Sequence, residues 1–270
     1  MKITFLGGGN MAAALIGGLR KQGYSAAGIQ VIEMLPENRE RLSETFHVRC
    51  CAEADAAALN CEVLVLAVKP QQMREALKPL AGKLSGQLVI SIAAGLRLPD
   101  ISRWLGGHRQ LVRTMPNMAA LIGEGVTGLY ADPSVGREGR DTAEKIMHAV
   151  GTSLWMDEEA QMDAVTAVSG SGPAYVFYFI EALQKAAEAL GFSEAESRVL
   201  AIETFIGAAR LAEQSPEPVS VLRERVTSKG GTTEAALMSF DKDGIAAAIL
   251  RGIQAADARG RELGDLMGKD

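Results

Sequence analysis

The chain opens on a strand, a glycine turn and a helix in immediate succession, and no other feature narrows its fold as much. Residues 2–6 (KITFL) carry the β-branched and aromatic side chains of a short buried strand. Gly7, Gly9 and Ala12 of FLGGGNMA then fit G-x-G-x-x-A, and Met11, Leu15 and Leu19 recur at helical spacing behind them. The small residues have separate tasks: Gly7 permits a tight turn, Gly9 lets the backbone approach a pyrophosphate, and Ala12 lets the helix pack on the strand. A helix that starts this way presents free backbone N–H groups to an anion. A glycine motif alone is weak evidence, but its position between an N-terminal strand and a helix points to a doubly wound, Rossmann-type α/β domain that binds a dinucleotide.

The next segments continue the pattern. A strand over 29–32 ends at Glu33, near the separation of about 20 residues at which an acid takes the ribose hydroxyls. That favours NAD, whereas Arg39 and Arg41 on the following helix suit the 2′-phosphate of NADP, so the two cofactors stay open. Residues 63–68 (VLVLAV) form the continuous apolar run of a buried parallel strand and stop at Lys69-Pro70; residues 88–92 (LVISI) form another and lead into Ala93, Ala94 and Gly95. Ligands of such sheets lie beyond the carboxyl ends of the strands, so Ala67, Val68, Lys69, Pro70 and Ala93 are expected beside the nicotinamide ribose. Lys69 invites a catalytic reading, but a lysine before proline at a strand end more often positions or contacts the cofactor. Further strands are expected over 111–114 and 126–130, with a helix over 133–150.

After Gly151 strand signals fade beyond residue 155, and helices are expected over 159–168, 173–190, 193–214, 218–225, 232–240 and 244–266. Ser193 and Glu196 make a capping box, and Pro173 suits a first helical position. The division follows: residues 1–152 as the dinucleotide-binding domain and 153–270 as an all-α domain for substrate binding and dimerisation. The second is too thin to bury two long helices without a partner, so a homodimer is expected. Two glycine-rich junctions interrupt its helices, SGSGPAY (169–175) and TSKGGTT (227–233). The second adds the hydroxyls of Ser228, Thr232 and Thr233 to another helix start and reads as a second anion site. A cofactor and a substrate meeting in a cleft would use both.

Charge and cysteines exclude other classes. The net charge of −5 divides unevenly: residues 1–150 carry 17 Lys and Arg against 14 Asp and Glu, and the remainder 11 against 19. No basic stripe offers itself to nucleic acid. Cys50, Cys51 and Cys61 form no CxxC or Cys/His cluster, which implies no zinc or other metal and a reducing, cytoplasmic setting. The uncharged run 3–19 is broken by Gly7, Gly8, Gly9 and Asn10, and the run 164–180 by SGSGP, so neither a signal peptide nor a membrane span is expected.

Taken together, FLGGGNMA, LAVKP, SIAAG, MPN, SGSGPAYVF and above all VTSKGGTTEAAL resemble the pyrroline-5-carboxylate reductase family along the whole chain, most specifically over 218–241. The resemblance implies NADPH- or NADH-dependent reduction of the cyclic imine Δ1-pyrroline-5-carboxylate to L-proline, the last step of proline biosynthesis. It also implies a helical domain interlocked with that of a second subunit, with dimers assembling into rings up to a decamer. By position, Asn10, Met11 and Ala12 follow the pyrophosphate turn, Ala67 to Pro70 and Ala93 line the nicotinamide side, Ser228, Gly231, Thr232 and Thr233 hold the substrate, and Glu159 is a weaker candidate for its ring nitrogen. The chain departs from the family at Met118-Ala119, where the family often reads Thr-Pro, and at Lys229, where proline is common.

Hydride transfer to an imine carbon needs the two reactants brought together, the carboxylate fixed and the nitrogen protonated. Thr233 is the expected hydrogen-bonding group at that nitrogen. His47, His108 and His148 fall outside every motif, which leaves histidine-based alcohol oxidation without a candidate. A hydroxyacid dehydrogenase of the 6-phosphogluconate type is the alternative enzyme, but it needs a lysine about one turn after the junction glycines, and here Pro173 to Val176 supply none. A non-catalytic dinucleotide-binding regulator would have no use for TSKGGTT.

Overall fold

The computed structural model describes residues 1–269. Strands β1 (Ile3–Leu6), β2 (Ile29–Ile32), β3 (Arg49–Cys51), β4 (Val63–Leu66), β5 (Leu88–Ser91), β6 (Leu111–Pro116), β7 (Gly125–Ala131) and β8 (Gly151–Trp155) form one sheet, in the order β3-β2-β1-β4-β5-β6-β7-β8. From β3 to β6 every pairing is parallel; β7 runs antiparallel to β6, and β8 runs parallel to β7. Chain order reverses between β1 and β4, so the carboxyl ends of these two strands mark the crevice in which such sheets take ligands.

Both faces of the sheet are covered, which is why β4 reads as unbroken VLVL. Ile3, Phe5, Val63 and Val65 pack with Leu15, Ile16 and Leu19 of the helix Asn10–Lys21 on one face. Leu6, Leu64 and Leu66 pack on the other with Met73 and Leu77 of the helix Pro70–Leu77 and with Ile101 of the helix Leu98–Trp104. Successive strand side chains point to opposite faces, so two apolar layers demand an apolar residue at every position. The polar exception on β1, Thr4, is buried and donates its hydroxyl to the Ala58 carbonyl at 2.6 Å.

Three local features differ from expectation. The helix expected over 133–150 starts at Arg137, because Asp132 closes a turn first: its carboxylate accepts from Ser134 N–H at 2.8 Å and its carbonyl from Val135 N–H at 2.9 Å. The edge strand β3, RCC, is too short and polar to announce itself by periodicity. The helix expected over 159–168 is α only over Gln161–Val165 and widens to a π-helix over Thr166–Gly170. Close packing accompanies that widening: a Cβ on Gly170 would lie 2.6 Å from Met115 Cε, and one on Gly128 2.7 Å from Val165 Cγ1.

The chain divides by its internal contacts into two compact units, Met1–Ser171 joined by the terminal segment from Ala256, and Gly172–Ala255. The second is wholly helical, with Gly172–Ala189, Glu194–Gln214, Val219–Arg225, Thr232–Lys242 and the first turns of Ile245–Met267. The capping box forms as expected, Ser193 accepting from Glu196 N–H and Glu196 from Ser193 N–H. Along Glu194–Gln214 only Ser197 and Ala201 are buried, whereas Phe177, Tyr178, Leu211, Met238 and Leu250 are exposed in the single chain.

Candidate functional site

The glycine turn is built as its sequence requires. Gly7 takes φ +102°, and a Cβ there would lie 2.7 Å from the Ala67 carbonyl, so a side chain is excluded by both backbone conformation and space. The same contact places Ala67-Val68 directly beside the turn, at the crevice between β1 and β4. Gly9 caps the helix Asn10–Lys21 with no side-chain acceptor, and a Cβ on it would meet nothing within 4 Å. Open space in front of uncapped N–H groups fits a pyrophosphate. Ala12 is buried against the sheet. Lys69 is exposed and precedes Pro70, the first residue of the helix Pro70–Leu77. Ala93 is buried and its N–H points to Ser91 Oγ at 3.3 Å, so whatever it presents to a ligand is backbone.

Glu33 does more than its spacing suggested. Its Oε2 accepts from Gly8 N–H at 2.7 Å and its Oε1 from Leu35 N–H at 2.8 Å, so the carboxylate ties the glycine turn to the end of β2. A carboxylate has about four acceptor positions, which leaves two for ribose hydroxyls. Arg39 donates to the carbonyls of Glu33 and Met34 at 2.8 and 2.7 Å, and Arg41 to that of Gly8 at 3.1 Å. Arg41 therefore stands at the glycine turn and Arg39 at the end of β2, each with donors to spare.

Glu159 is engaged from two sides: its Oε1 accepts from Leu98 N–H at 2.7 Å and faces Arg113 Nη1 at 3.5 Å. Arg113, on β6, is buried and donates through Nη2 to the equally buried Asp163 at 2.8 Å. Sequence reasoning missed this pair. Its one visible signal was a charged residue inside the apolar strand LVRTMP, but the partner lies far away along the chain.

The second junction lies in the helical unit. Gly231 caps the helix Thr232–Lys242 without a side-chain acceptor, and Gly231 N–H bonds Ser228 O at 3.0 Å to close the turn. Ser228, Lys229 and Thr232 are exposed and Thr233 is half-buried. Glu234, which the sequence reading passed over, reaches back to accept from Gly230 N–H at 2.6 Å. Among the described residues no partner occupies the hydroxyls of Ser228, Thr232 or Thr233. Met118, at the other departure from the family pattern, is exposed at the start of a 3-10 turn over Met118–Ile122.

Comparison with known proteins gives consistent similarities. Residues 159–263 match the family described as pyrroline-5-carboxylate reductase dimerisation, and residues 2–95 match NADP oxidoreductase coenzyme F420-dependent. The chain is 44% identical to a pyrroline-5-carboxylate reductase of Pseudomonas aeruginosa over 99% of its own length and 98% of the relative's. It is 42% identical to that of Haemophilus influenzae, covering 97% of each. Among solved structures, a pyrroline-5-carboxylate reductase from Coxiella burnetii superposes with a TM-score of 0.92 at 40% identity, covering 97% of this chain and 98% of that one. A pyrroline carboxylate reductase from Plasmodium falciparum with NADP bound superposes at 0.86 with 28% identity, covering 98% of each.

Proposed function

The chain belongs to the pyrroline-5-carboxylate reductase family, and from that premise we propose that it reduces Δ1-pyrroline-5-carboxylate to L-proline with NADH or NADPH, the last step of proline biosynthesis. The observation that carries the reading is the presence of two glycine-opened, uncapped helix starts, at Gly9 and at Gly231, one in each compact unit. One suits a pyrophosphate and the other a carboxylate.

When bound, NAD(P)H supplies the hydride. Gly7, Gly9, Asn10, Met11 and Ala12 form the turn that takes the pyrophosphate, Glu33 accepts from the ribose hydroxyls, and Ala67 to Pro70 with Ala93 line the nicotinamide side. Ser228, Gly231, Thr232 and Thr233 hold the substrate, its carboxylate facing the Thr232 N–H and the hydroxyls, since Gly231 N–H is already bonded to Ser228 O. The imine carbon gains the hydride and the ring nitrogen ends with one proton, so C=N becomes CH–NH. Thr233, whose hydroxyl is uncommitted, is the hydrogen-bonding residue at that nitrogen. Glu159 is the other polar candidate there, through Oε2, because Oε1 is held by Leu98 and Arg113.

In functional terms residues 1–152 serve the dinucleotide and 153–270 the substrate and the dimer, a division supported by the two family matches at 2–95 and 159–263. The chain forms a homo-oligomer through the second part; assembly of dimers into a decamer and a cytoplasmic location complete the proposal. Among the described residues no helix is long and apolar enough to cross a membrane. The test is a cofactor-by-substrate assay on purified protein. Oxidation of NADH or NADPH only on addition of pyrroline-5-carboxylate is expected; activity on a hydroxyacid with none on the imine overturns the reading.

A further inference from the structure

The loop that follows β5 is held at its far end and along its length by residues outside it. At its far end, Leu98 N–H bonds the Glu159 carboxylate, which Arg113 faces from β6. Along its length it lies against the last turns of the helix Ile245–Met267. Gly95 takes φ +79°, and a Cβ on it would lie 2.6 Å from Met267 Cε. Gly264 is buried, and a Cβ there would stand 3.0 Å from the Gly95 carbonyl oxygen and 3.3 Å from Arg97 Nη2. Arg97 pairs with Asp265 at 2.8 Å, and just beyond the loop Arg103 donates to the Gly268 carbonyl at 2.7 Å.

Exposed ion pairs of this kind contribute little stability, so the glycine contact is the informative part. Backbone packs close to backbone at Gly264 and Gly95, with little room for a side chain at either, so a displacement of the helix end is passed to the loop. Close-packed elements transmit displacement in this way.

We propose that the segment Gly264–Met267 positions the loop 93–97 and thereby sets the nicotinamide half of the cofactor site, with Glu159 anchoring the same loop at Leu98. This rests on the reading that Ala93 lines the nicotinamide side. Gly264 and Met267 are positioning residues; they touch the loop and not the cofactor. A merely structural brace would affect all ligands and the melting temperature together, whereas a positioning brace separates the two halves of the dinucleotide.

The experiment measures binding of NADH, NADPH and ADP-ribose, which lacks the nicotinamide, to the full chain by calorimetry, with melting and turnover followed in parallel. Gly264→Ala crowds the contact and Met267→Ala loosens it. Each is expected to weaken binding of the reduced cofactor and lower kcat by about 10-fold, the scale of a small misplacement at a reacting centre, while ADP-ribose binds as before. Wild-type binding of NADH and NADPH by both variants, or equal losses for ADP-ribose, overturns the proposal. Should Gly264→Ala fail to fold, Met267→Ala carries the test alone, since it removes atoms without crowding. Ala93→Val separates the premise from the inference: if it binds all three ligands as wild type, the nicotinamide reading of Ala93 fails and the proposal with it. If it weakens NADH while both helix variants do not, only the brace fails.

Discussion

The sheet-bearing unit and the helical unit use the same residue types to opposite ends. In the first, leucines, valines and isoleucines of β1, β4 and β5 close two layers around the sheet and are almost fully buried. In the second, aromatic and aliphatic side chains at similar density stay in solvent: Tyr178 is 70% exposed, Leu211 68% and Met238 67%. One unit completes its core from its own sequence. The other leaves these side chains uncovered in the single chain, over the segment that matches a dimerisation family. Burying each such side chain contributes roughly 1.5–3 kcal/mol, so a handful of them is comparable with the roughly 5–15 kcal/mol by which a domain is stable.

This contrast is open to attack, and the largest effect is expected in the helical unit. A charge placed on its uncovered face, Phe177→Asp or Leu211→Asp, should abolish assembly in sedimentation experiments and remove activity with it; an unchanged mass would show that the face has another use. Next comes the internal pair of the other unit. Asp163→Ala removes the closer of the two carboxylates on the buried Arg113 guanidinium, leaving Glu159 at 3.5 Å, and should cost up to about 3–5 kcal/mol in denaturant unfolding of the sheet-bearing unit, with subunit association intact. If association failed first, the two units would not be energetically separable.

Smaller effects test the chemistry assigned to each unit. Thr233→Ala should lower kcat by roughly 10- to 1,000-fold, the scale of one oriented polar group, with cofactor affinity unchanged; a fall in cofactor affinity would contradict the division of labour. Smallest is Glu33→Ser, which removes a negative charge next to two arginines. It should move the ratio of kcat/KM values toward NADPH by about 10-fold, equivalent to about 1.4 kcal/mol. An unmoved ratio would leave Glu33 as the tie between Gly8 and Leu35 alone.

The parts that were legible in sequence are those governed by local rules. Strand β2, the turn around Gly7 and Gly9, and the Ser193–Glu196 capping box each depend on residues within a few positions of one another, and each formed as read. The reversal of β7 left no trace, because strand direction is decided by a crossover and not by composition. Arg113 and Asp163 were invisible as a pair because their contact spans fifty positions. Glu33 was found by its spacing to the glycines, but its bond to Gly8 N–H requires the chain to return from β2 to the turn. The π-helix over Thr166–Gly170, whose Gly170 packs close to Met115, has no periodic signature.

Glu234 carries one more consequence. By accepting from Gly230 N–H it ties the first turn of the helix Thr232–Lys242 to the residue that precedes its cap, Gly231. The turn is therefore shaped before any ligand arrives, and its ordering entropy is charged to folding and not to binding. On the proposed reading a carboxylate would meet a finished mould whose Gly230 and Gly231 N–H groups are already bonded, which leaves the Thr232 N–H and the hydroxyls of Ser228, Thr232 and Thr233 to choose the guest.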